Sequence, residues 1–302
     1  MMMTNYFKYL PVSDEDKKWG LYVLNAGCNR INKSQVYPEP RHPSHHYFRW
    51  EQGRSLDEYQ VIYISNGEGV FESASCPLTQ IKEGTIIFLF PNEWHRFKPN
   101  PETGWDEAWV GFEGEVARNL VDENFFTPQK PLIHIGIREN IHDLIFGIIE
   151  KTKTEKPGYQ PSISGATSHL LGDVYSLTRQ ANIRHENISE SLINKAIFIL
   201  RSNALKNFSI ETVAEELDVS YSWLRKTFKL YTGIAPGQYL LQLKINKAKI
   251  LLSDNTKSIK EIAYETGFES AFYFSKIFKI KVGISPEAFR HQNHFIPDKD
   301  ES

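Results

Sequence analysis

A structural unit that occurs twice between residues 208 and 290 constrains this chain more than any other feature. Apolar, glycine and proline positions recur 49 positions later at the start of the second copy, and 50 positions later after one inserted residue. Self-similarity at a fixed period means that one supersecondary unit is built twice. The matched pairs are Ile210 with Ile259, Val213 with Ile262, Ala214 with Ala263, Leu224 with Phe274, Phe228 with Phe278, Gly233 with Gly283, Pro236 with Pro286, and Tyr239 with Phe289.

Each copy is predicted to fold as a helix, a tight turn and a second helix. Ser209, Ser220 and Ser258 stand where a hydroxyl can cap the helix that follows, and Gly267 suits a left-handed turn position. The apolar residues repeat at helical spacing. This arrangement is typical of the helix-turn-helix, whose second helix enters the DNA major groove. A helical repeat without a nucleic-acid role is the alternative. The matching caps and turns favour DNA binding, with predicted recognition helices over residues 221–231 and 271–281.

Five short runs carry a family resemblance: TVAEEL at 212–217, SYSWLRKTF at 220–228, IAYETGFES at 262–270, FSKIFK at 274–279 and GISPEAFR at 283–290. They resemble the double helix-turn-helix of the AraC/XylS family of bacterial transcription regulators. The resemblance implies an all-α domain that binds specific sequences in double-stranded DNA, often as an activator, under the control of a separate ligand domain. A homodimer and a contact with RNA polymerase are further expectations.

The outward faces of the two recognition helices are the predicted base readers, because the apolar pairs face inward. Arg225 ranks first, since a guanidinium can donate two hydrogen bonds to guanine. Ala271 and Phe272 can touch a thymine methyl group. Lys276 stands where the family usually has Arg, which weakens two-bond recognition there. The predicted DNA-contacting residues are Tyr221, Ser222, Arg225, Lys226, Ser270, Ala271, Phe272, Tyr273, Ser275 and Lys276.

Residues 236–252 predict a single helix that connects the two copies. At 1.5 Å per residue such a helix is ~25 Å long, whereas neighbouring major-groove faces lie ~34 Å apart. The width of the two helical bundles can cover this difference. We therefore expect both recognition helices to meet one face of the duplex, about 10 base pairs apart.

The net charge of −2 combines two halves of opposite sign. From residue 190 to 297 the chain has 15 Lys and Arg against 10 Asp and Glu, whereas residues 1–189 have 19 against 24. This distribution of charge is expected if only the basic half contacts the phosphates of DNA. The excess is modest, so affinity for DNA should not depend on charge alone.

Several classes of protein are disfavoured by the sequence. Residues 1–18 lack the apolar run of a signal peptide, and no stretch approaches the ~18 apolar residues of a membrane helix. Cys28 and Cys76 are too few for a disulfide framework and fit no paired metal pattern. A chain of 302 residues has room for two domains with cores of their own. We expect a two-domain cytoplasmic protein that does not associate with a membrane.

The first half of the chain predicts a β-barrel or sandwich of jelly-roll type. From about residue 41 to residue 114, aromatic and β-branched residues alternate with Gly and Pro turn signals. Asn66-Gly67 is a strong hairpin signal between strands at 59–65 and 69–73. Further strands are expected over 85–90 and near 109–112.

The barrel carries a second, softer resemblance. Gly84, Pro91, His95 and Asn100 are spaced as in the second motif of the cupin barrels. Residues 104–112 resemble the sugar-responsive branch of the AraC family. That likeness implies a small-molecule pocket, with a carbohydrate as the expected effector, although each aromatic residue can instead belong to the core. The expected pocket residues are Arg54, His95, Phe97, Glu107 and Trp109, with Trp50 and Tyr63 as weaker candidates.

A metal-dependent cupin enzyme is the alternative for this barrel. Such a site needs three or four ligands, and the only other nearby histidines, His42, His45 and His46, precede the strands that should supply them. We therefore expect no metal, no cofactor and no catalytic residue.

Two amphipathic helices are predicted after the barrel, one with apolar residues from Ile137 to Ile148 and one over residues 162–181. They can pack within the chain or across a two-fold axis, and the family resemblance favours a dimer contact. The predicted fold class is α+β, with a cupin-like barrel and two helices of its own followed by the all-α double helix-turn-helix domain. The predicted domains are a sensing barrel at 1–136, a helical pair at 137–182, a linker at 183–190, a DNA-binding domain at 191–296 and a tail at 297–302.

The sequence thus predicts a sequence-specific transcription regulator, with activation expected, whose barrel senses a small sugar. The second hypothesis keeps the DNA-binding role and replaces the sugar with another metabolite or a partner protein. The third is the cupin enzyme fused to a DNA-binding domain.

Overall fold

The computed structural model describes residues 5–35, 37, 49–185, 190–206, 208–253 and 256–294. The chain divides into two compact units, Met1–Asn182 and Ile183–Ser302. The first unit is built on antiparallel strands and the second on helices. No helix within the described ranges is both long enough and apolar enough to cross a bilayer.

The first unit consists of two antiparallel sheets that share one long strand. The strands are β1 Tyr6–Tyr9, β2 Tyr22–Ile31, β3 Tyr59–Ser73, β4 Thr79–Lys82, β5 Thr85–Leu89, β6 His95–Pro99, β7 Trp105–Glu113 and β8 Leu132–His134. In the larger sheet the strand order is β1-β2-β7-β3-β5-β8, and β4 and β6 both pair with the second half of β3. This is the expected cupin-like barrel.

The predicted hairpin at Asn66-Gly67 is wrong. Strand β3 continues through these residues, and its pairing with β7 shifts register between Ile64 and Asn66. Gly67 has a φ of 86°, and a Cβ there would collide with the carbonyl oxygen of Gly104. The glycine therefore serves a bulge, at which β3 leaves the larger sheet and enters the smaller one.

Strands β1 and β2 were not predicted from the sequence. Strand β2 contains Asn25, Gly27 and Asn29, which lower its β-propensity. Its apolar residues do not simply alternate, because both of its faces are largely buried. A pattern search finds half-buried strands more readily than a strand of this kind.

Two apolar cores lie on opposite sides of the larger sheet. One fills the barrel between the sheets and includes Ile62, Phe71 and Phe97. The other lies between the outer face of the larger sheet and the helices, and it includes Val110 and Ile145. The helices of this unit are α1 Asp14–Lys18, α2 Glu115–Asp122, α3 Glu139–Thr154 and α4 Tyr159–His185.

The helical pair exists, with bounds that differ from the prediction. Helix α3 begins at Glu139, and Ile137 precedes it with 57% of its surface exposed. Helix α4 runs on to His185, so residues 183–185 of the predicted linker are helical. Residue 190 already begins the next helix, and residues 186–189 lie outside the described part of the chain.

The second unit contains two small helical cores joined by one helix. The helices are α5 Glu190–Ser202, α6 Ile210–Glu216, α7 Tyr221–Thr232, α8 Pro236–Leu252, α9 Ile259–Glu265, α10 Ala271–Val282 and α11 Pro286–His294. Helix α8 contributes Leu240 to the first core, and Ile245 and Leu252 to the second. Helix α5, which was not predicted from the sequence, packs Ile193 and Leu200 into the first core.

Candidate functional site

Serine side chains set the start of both helices in each copy of the repeat. Each serine Oγ accepts a hydrogen bond from the backbone N–H three residues later, which satisfies a donor that the helix leaves unpaired. At the start of α9, Glu261 also accepts from the N–H of Ser258 and completes a capping box. The predicted caps Ser209, Ser220 and Ser258 are confirmed, and Ser270 caps α10 in the same way.

The tight turns of the two copies use equivalent residues in the same backbone conformation. Gly267 has a φ of 72°, as its position in the turn predicts, and Asp218 at the matching position has a φ of 53°. A Cβ on Gly267 would lie 2.9 Å from the carbonyl oxygen of Leu205. The first copy tolerates a side chain at this point, whereas the second has little space for one.

Helices α7 and α10 present the faces that the sequence predicts. Leu224, Phe228, Phe274 and Phe278 are fully buried, so the opposite faces point to solvent. Among the expected DNA contacts, Ala271 is half-buried against the second core and offers less surface than predicted. Ser270 and Ser275 are also half-buried, and the exposed members are Tyr221, Ser222, Arg225, Lys226, Phe272, Tyr273 and Lys276.

Helix α8 is attached to the second turn by Lys244, a residue that sequence analysis missed. Its ammonium donates to the carbonyl oxygen of Gly267 at 2.7 Å and lies 5.6 Å from the centre of the Phe268 ring. Burial lowers the pKa of Lys244. The lysine therefore helps to hold the turn before α10 against the connecting helix.

The barrel interior is lined by alternate residues of β2 and β7. Trp105, Glu107 and Trp109 share one face of β7, since side chains two apart lie on the same side of a strand. Asn29 pairs with Glu107 across the strands, and Gly27 pairs with Trp109. A Cβ on Gly27 would meet the Trp109 ring, so the glycine makes room for the indole.

Glu107 is a buried carboxyl group with polar neighbours. Its side chain accepts hydrogen bonds from Asn29 Nδ2 and from the Tyr37 hydroxyl, both at 3.3 Å, and the residue is 3% exposed. Burial raises the pKa of Glu107 from 4.5 to about 7, although these hydrogen bonds and the Arg54 charge oppose the rise. A group of this kind can both accept and donate hydrogen bonds near neutral pH.

Arg54 and His95 form a second polar group inside the barrel. Arg54 Nε donates to His95 Nε2 at 3.2 Å, and the two backbones also pair. The Arg54 guanidinium lies 5.5 Å from the centre of the Phe97 ring. Burial, together with the Arg54 charge, lowers the pKa of His95 to about 3. His95 is therefore neutral at physiological pH and can accept from the guanidinium.

The Trp105 indole N–H has no hydrogen-bond partner within the described residues, although Trp105 is only 1% exposed. It lies near Glu107 and weakly lowers the pKa of that carboxyl group, without the geometry of a hydrogen bond. A buried donor without a partner loses free energy on folding unless something else accepts from it. Trp105 also packs 5.8 Å from Tyr37, ring centre to ring centre.

The structure brings the five expected pocket residues to one interior and separates the two weaker candidates from them. Tyr63 faces the helices, and its hydroxyl accepts from the N–H of Arg138. Trp50 stacks on Arg96, which alternates with His95 and Phe97 along β6 and so lies on the opposite face. Both weaker candidates are therefore wrong as lining residues of this interior.

Three residues of this interior were not predicted from the sequence, namely Asn29, Tyr37 and Trp105. Trp105 could have been found, because it shares the face of Glu107 and Trp109. Asn29 could not be found, because strand β2, which carries it, was not predicted. Tyr37 comes close to Glu107 only in the folded chain. His42, His45 and His46 lie outside the described residues, and within the described ranges no cluster of three or more metal-ligating side chains occurs.

Comparison with known proteins matches both units to one family. Residues 32–171 match the family model of the AraC-like ligand binding domain, and residues 213–292 match that of a helix-turn-helix domain. The Msm operon regulatory protein of Streptococcus mutans is 26% identical over 78% of this chain and 85% of its own. The raffinose operon transcriptional regulatory protein RafR of Pediococcus pentosaceus has the same identity and the same shares. The transcriptional activator RhaS of Salmonella arizonae is 22% identical over 86% of this chain and 91% of its own.

Proposed function

The chain belongs to the AraC family of DNA-binding transcription regulators with a ligand-binding domain, and from that premise we propose that a small sugar bound inside its barrel controls how it binds DNA. The observation that carries the proposal is the mixed lining of the barrel. Glu107, Arg54 and His95 offer charged and neutral hydrogen-bonding groups. Trp109 and Phe97 offer aromatic faces on the same interior. Sugars need both kinds of contact, because their rings carry hydroxyl groups and apolar C–H faces.

Two further features support a hydroxyl-rich ligand. Among the described residues, the Trp105 N–H has no acceptor, and a sugar oxygen can supply one. The Tyr37 hydroxyl already contacts Glu107, at a position that a ligand hydroxyl can take or share. Among the relatives, one is named for a raffinose operon, and such a name is consistent with a carbohydrate effector. A non-sugar metabolite or a partner protein is the second candidate, and we assign no catalytic role because the relatives are regulators.

The effector is tested by thermal unfolding of the full chain with a panel of neutral mono- and oligosaccharides. A ligand at 100 times its Kd stabilises the folded state by ~2.7 kcal/mol, and so raises the melting temperature of the first unit. Glu107→Gln keeps the side-chain volume and should reduce that shift. If no sugar raises the melting temperature but another metabolite does, the sugar assignment is wrong and the regulator role stands.

We further propose that α7 and α10 enter successive major grooves on one face of the duplex, about 10 base pairs apart. Both helices leave a polar or aromatic face exposed opposite a buried phenylalanine pair. The α3–α4 pair is the proposed contact between two protomers, since repeated DNA sites suit paired regulators. Sugar binding would then favour one placement of the two DNA-binding units over another. A regulator acts where its DNA is, so we place it in the cytoplasm.

Replacing Arg225 with alanine is expected to weaken binding to the preferred duplex by ~1–3 kcal/mol and to relax the preference at one base pair. The reason is the loss of two hydrogen bonds to guanine. Quantitative gel retardation with single-base variants of the duplex measures both effects. The matched control is Lys229→Ala, one turn further along α7, which should weaken binding to all sequences alike. An equal loss for every sequence with Arg225→Ala would mean that this arginine contacts only phosphate.

A further inference from the structure

The two recognition helices carry different chemistry at matched positions. With the offset of 50, Ser222 of α7 corresponds to Phe272 of α10, and Arg225 corresponds to Ser275. The first copy therefore offers a hydroxyl group and a guanidinium, whereas the second offers a phenyl ring and a hydroxyl group. Because the backbones of the two copies match, this difference lies in what each helix can recognise.

Phe272 has more of its surface exposed than any other large hydrophobic residue in the described ranges, at 81%. Its ring takes no part in the second core, which Phe274 and Phe278 fill from the opposite face of α10. Phe272 is the second residue of that helix, and the N-terminal residues of a recognition helix are those that contact base edges. The exposed ring therefore lies where contact with a base edge is expected.

The surroundings of the ring fit DNA better than an apolar protein surface. Lys276 lies one turn further along α10 and is exposed, and Lys279 follows on the same exposed side. These two ammonium groups, on the same exposed side of the helix as Phe272, suit contact with the phosphate backbone that borders a groove. In the major groove, the one apolar group that a base pair presents is the C5 methyl group of thymine. That methyl group is the occupant that suits Phe272.

We propose that Phe272 makes α10 a reader of thymine methyl groups, so that each protomer recognises two unlike half-sites. Arg225 selects guanine in the half-site under α7, and Phe272 selects thymine in the half-site under α10. The inference depends on the proposed entry of α10 into the major groove. It assigns to the second copy a base preference that hydrogen bonding by Ser275 alone would not give.

The test uses the full chain and a duplex that the chain selects from a random-sequence pool. Each thymine of that duplex is replaced in turn by uracil, which lacks only the C5 methyl group. Burial of one methyl group corresponds to a change in affinity of about 4-fold. We expect a loss of that size at one or two thymines under α10. Phe272→Ser should lower affinity for the thymine duplex and bind the thymine and uracil duplexes equally.

Phe198→Ser is the matched control, because Phe198 is a 70% exposed phenylalanine that belongs to α5 and to neither recognition helix. This variant should keep the full uracil effect. Hydroxyl-radical footprinting on the same duplex separates the two ways of failing. Protection of both groove segments without any uracil effect overturns the methyl contact and leaves groove entry intact. Protection of one segment per protomer overturns the entry of α10 itself, and a uracil effect that survives Phe272→Ser assigns the contact to another residue.

Discussion

Replacing Phe228 with alanine is expected to destabilise the first helix-turn-helix copy by ~3–5 kcal/mol and to leave the second copy folded. The side chain is fully buried, and its ring lies 5.5 Å from that of Tyr239, edge to face. Removing it loses apolar burial and leaves a cavity in a small core. Hydrogen exchange of the full chain, followed by mass spectrometry of its peptides, measures the loss separately in α6–α7 and in α9–α10.

The chain offers its own matched variant for this experiment. Phe278 occupies the equivalent position of the second copy, is equally buried, and packs 5.6 Å from Phe289. Phe278→Ala should therefore accelerate exchange in α9–α10 and spare α6–α7. The reason is that the two cores contain different residues, and α8 contributes separate side chains to each of them. Equal acceleration in both copies by either variant would show one cooperative unit instead of two.

The repeat was predictable because its signals are local. Each serine cap lies within four residues of the backbone N–H that it accepts from and of the first buried apolar residue. The two copies can also be compared with each other. Helix α8 matches the predicted connector at both ends, Pro236 and Leu252. Proline suits the first turn of a helix, which is why the start could be read from sequence.

The barrel was predictable as a class of fold and less so in detail. Asn66-Gly67 has the composition of a hairpin turn, yet tertiary pairing on both edges of β3 turns it into a bulge. Whether a glycine with positive φ reverses a strand or bends it depends on which strands lie beside it, and that information is not local. The same limit applies to Asn29 and Tyr37, whose relation to Glu107 exists only after the strands have paired.

The proposed pocket and the proposed DNA interface differ in how their residues are held. Each recognition helix carries its proposed DNA-contacting residues on a single element of 12 residues that is capped at both ends. The barrel interior gathers Arg54, His95 and Glu107 from separate segments of the chain. A substitution on α7 or α10 should therefore act on one half-site, whereas a substitution in the barrel should act on several contacts together.

Replacing Glu107 with glutamine is expected to stabilise the first unit above neutral pH by up to ~3 kcal/mol and to have little effect near pH 4.5. Burial raises the pKa of this carboxyl group in the folded protein from 4.5 to about 7. Below pH 4.5 both states hold the proton, so the shift has no effect on stability. As the pH rises towards 7 the unfolded chain ionises first, so the wild-type barrel loses stability, and above pH 7 the loss is complete. Glutamine has no proton to lose.

The measurement is the difference in unfolding free energy between variant and wild type at several pH values from 4.5 to 8. Hydrogen exchange in β7 of the full chain reports this free energy. Because the pKa of His95 is lowered by burial and by the Arg54 charge, His95 costs stability as the pH falls below 6.5. Both proteins contain His95, so this opposite trend largely cancels in the difference. Glu102→Gln removes an exposed carboxylate 3.0 Å from Lys33 and should change stability by less than about 1 kcal/mol throughout.

The same titration should appear in ligand binding. A sugar hydroxyl that donates to Glu107 favours the ionised carboxylate, so affinity should rise as the pH passes through about 7, with release of a proton. Calorimetry in two buffers of different ionisation enthalpy counts that proton, and Glu107→Gln should abolish both the release and the pH dependence. A difference in stability that is flat from pH 4.5 to 8 would mean that folding does not raise the pKa of Glu107, because the Arg54 charge and the hydrogen bonds from Asn29 and Tyr37 fully offset the effect of burial.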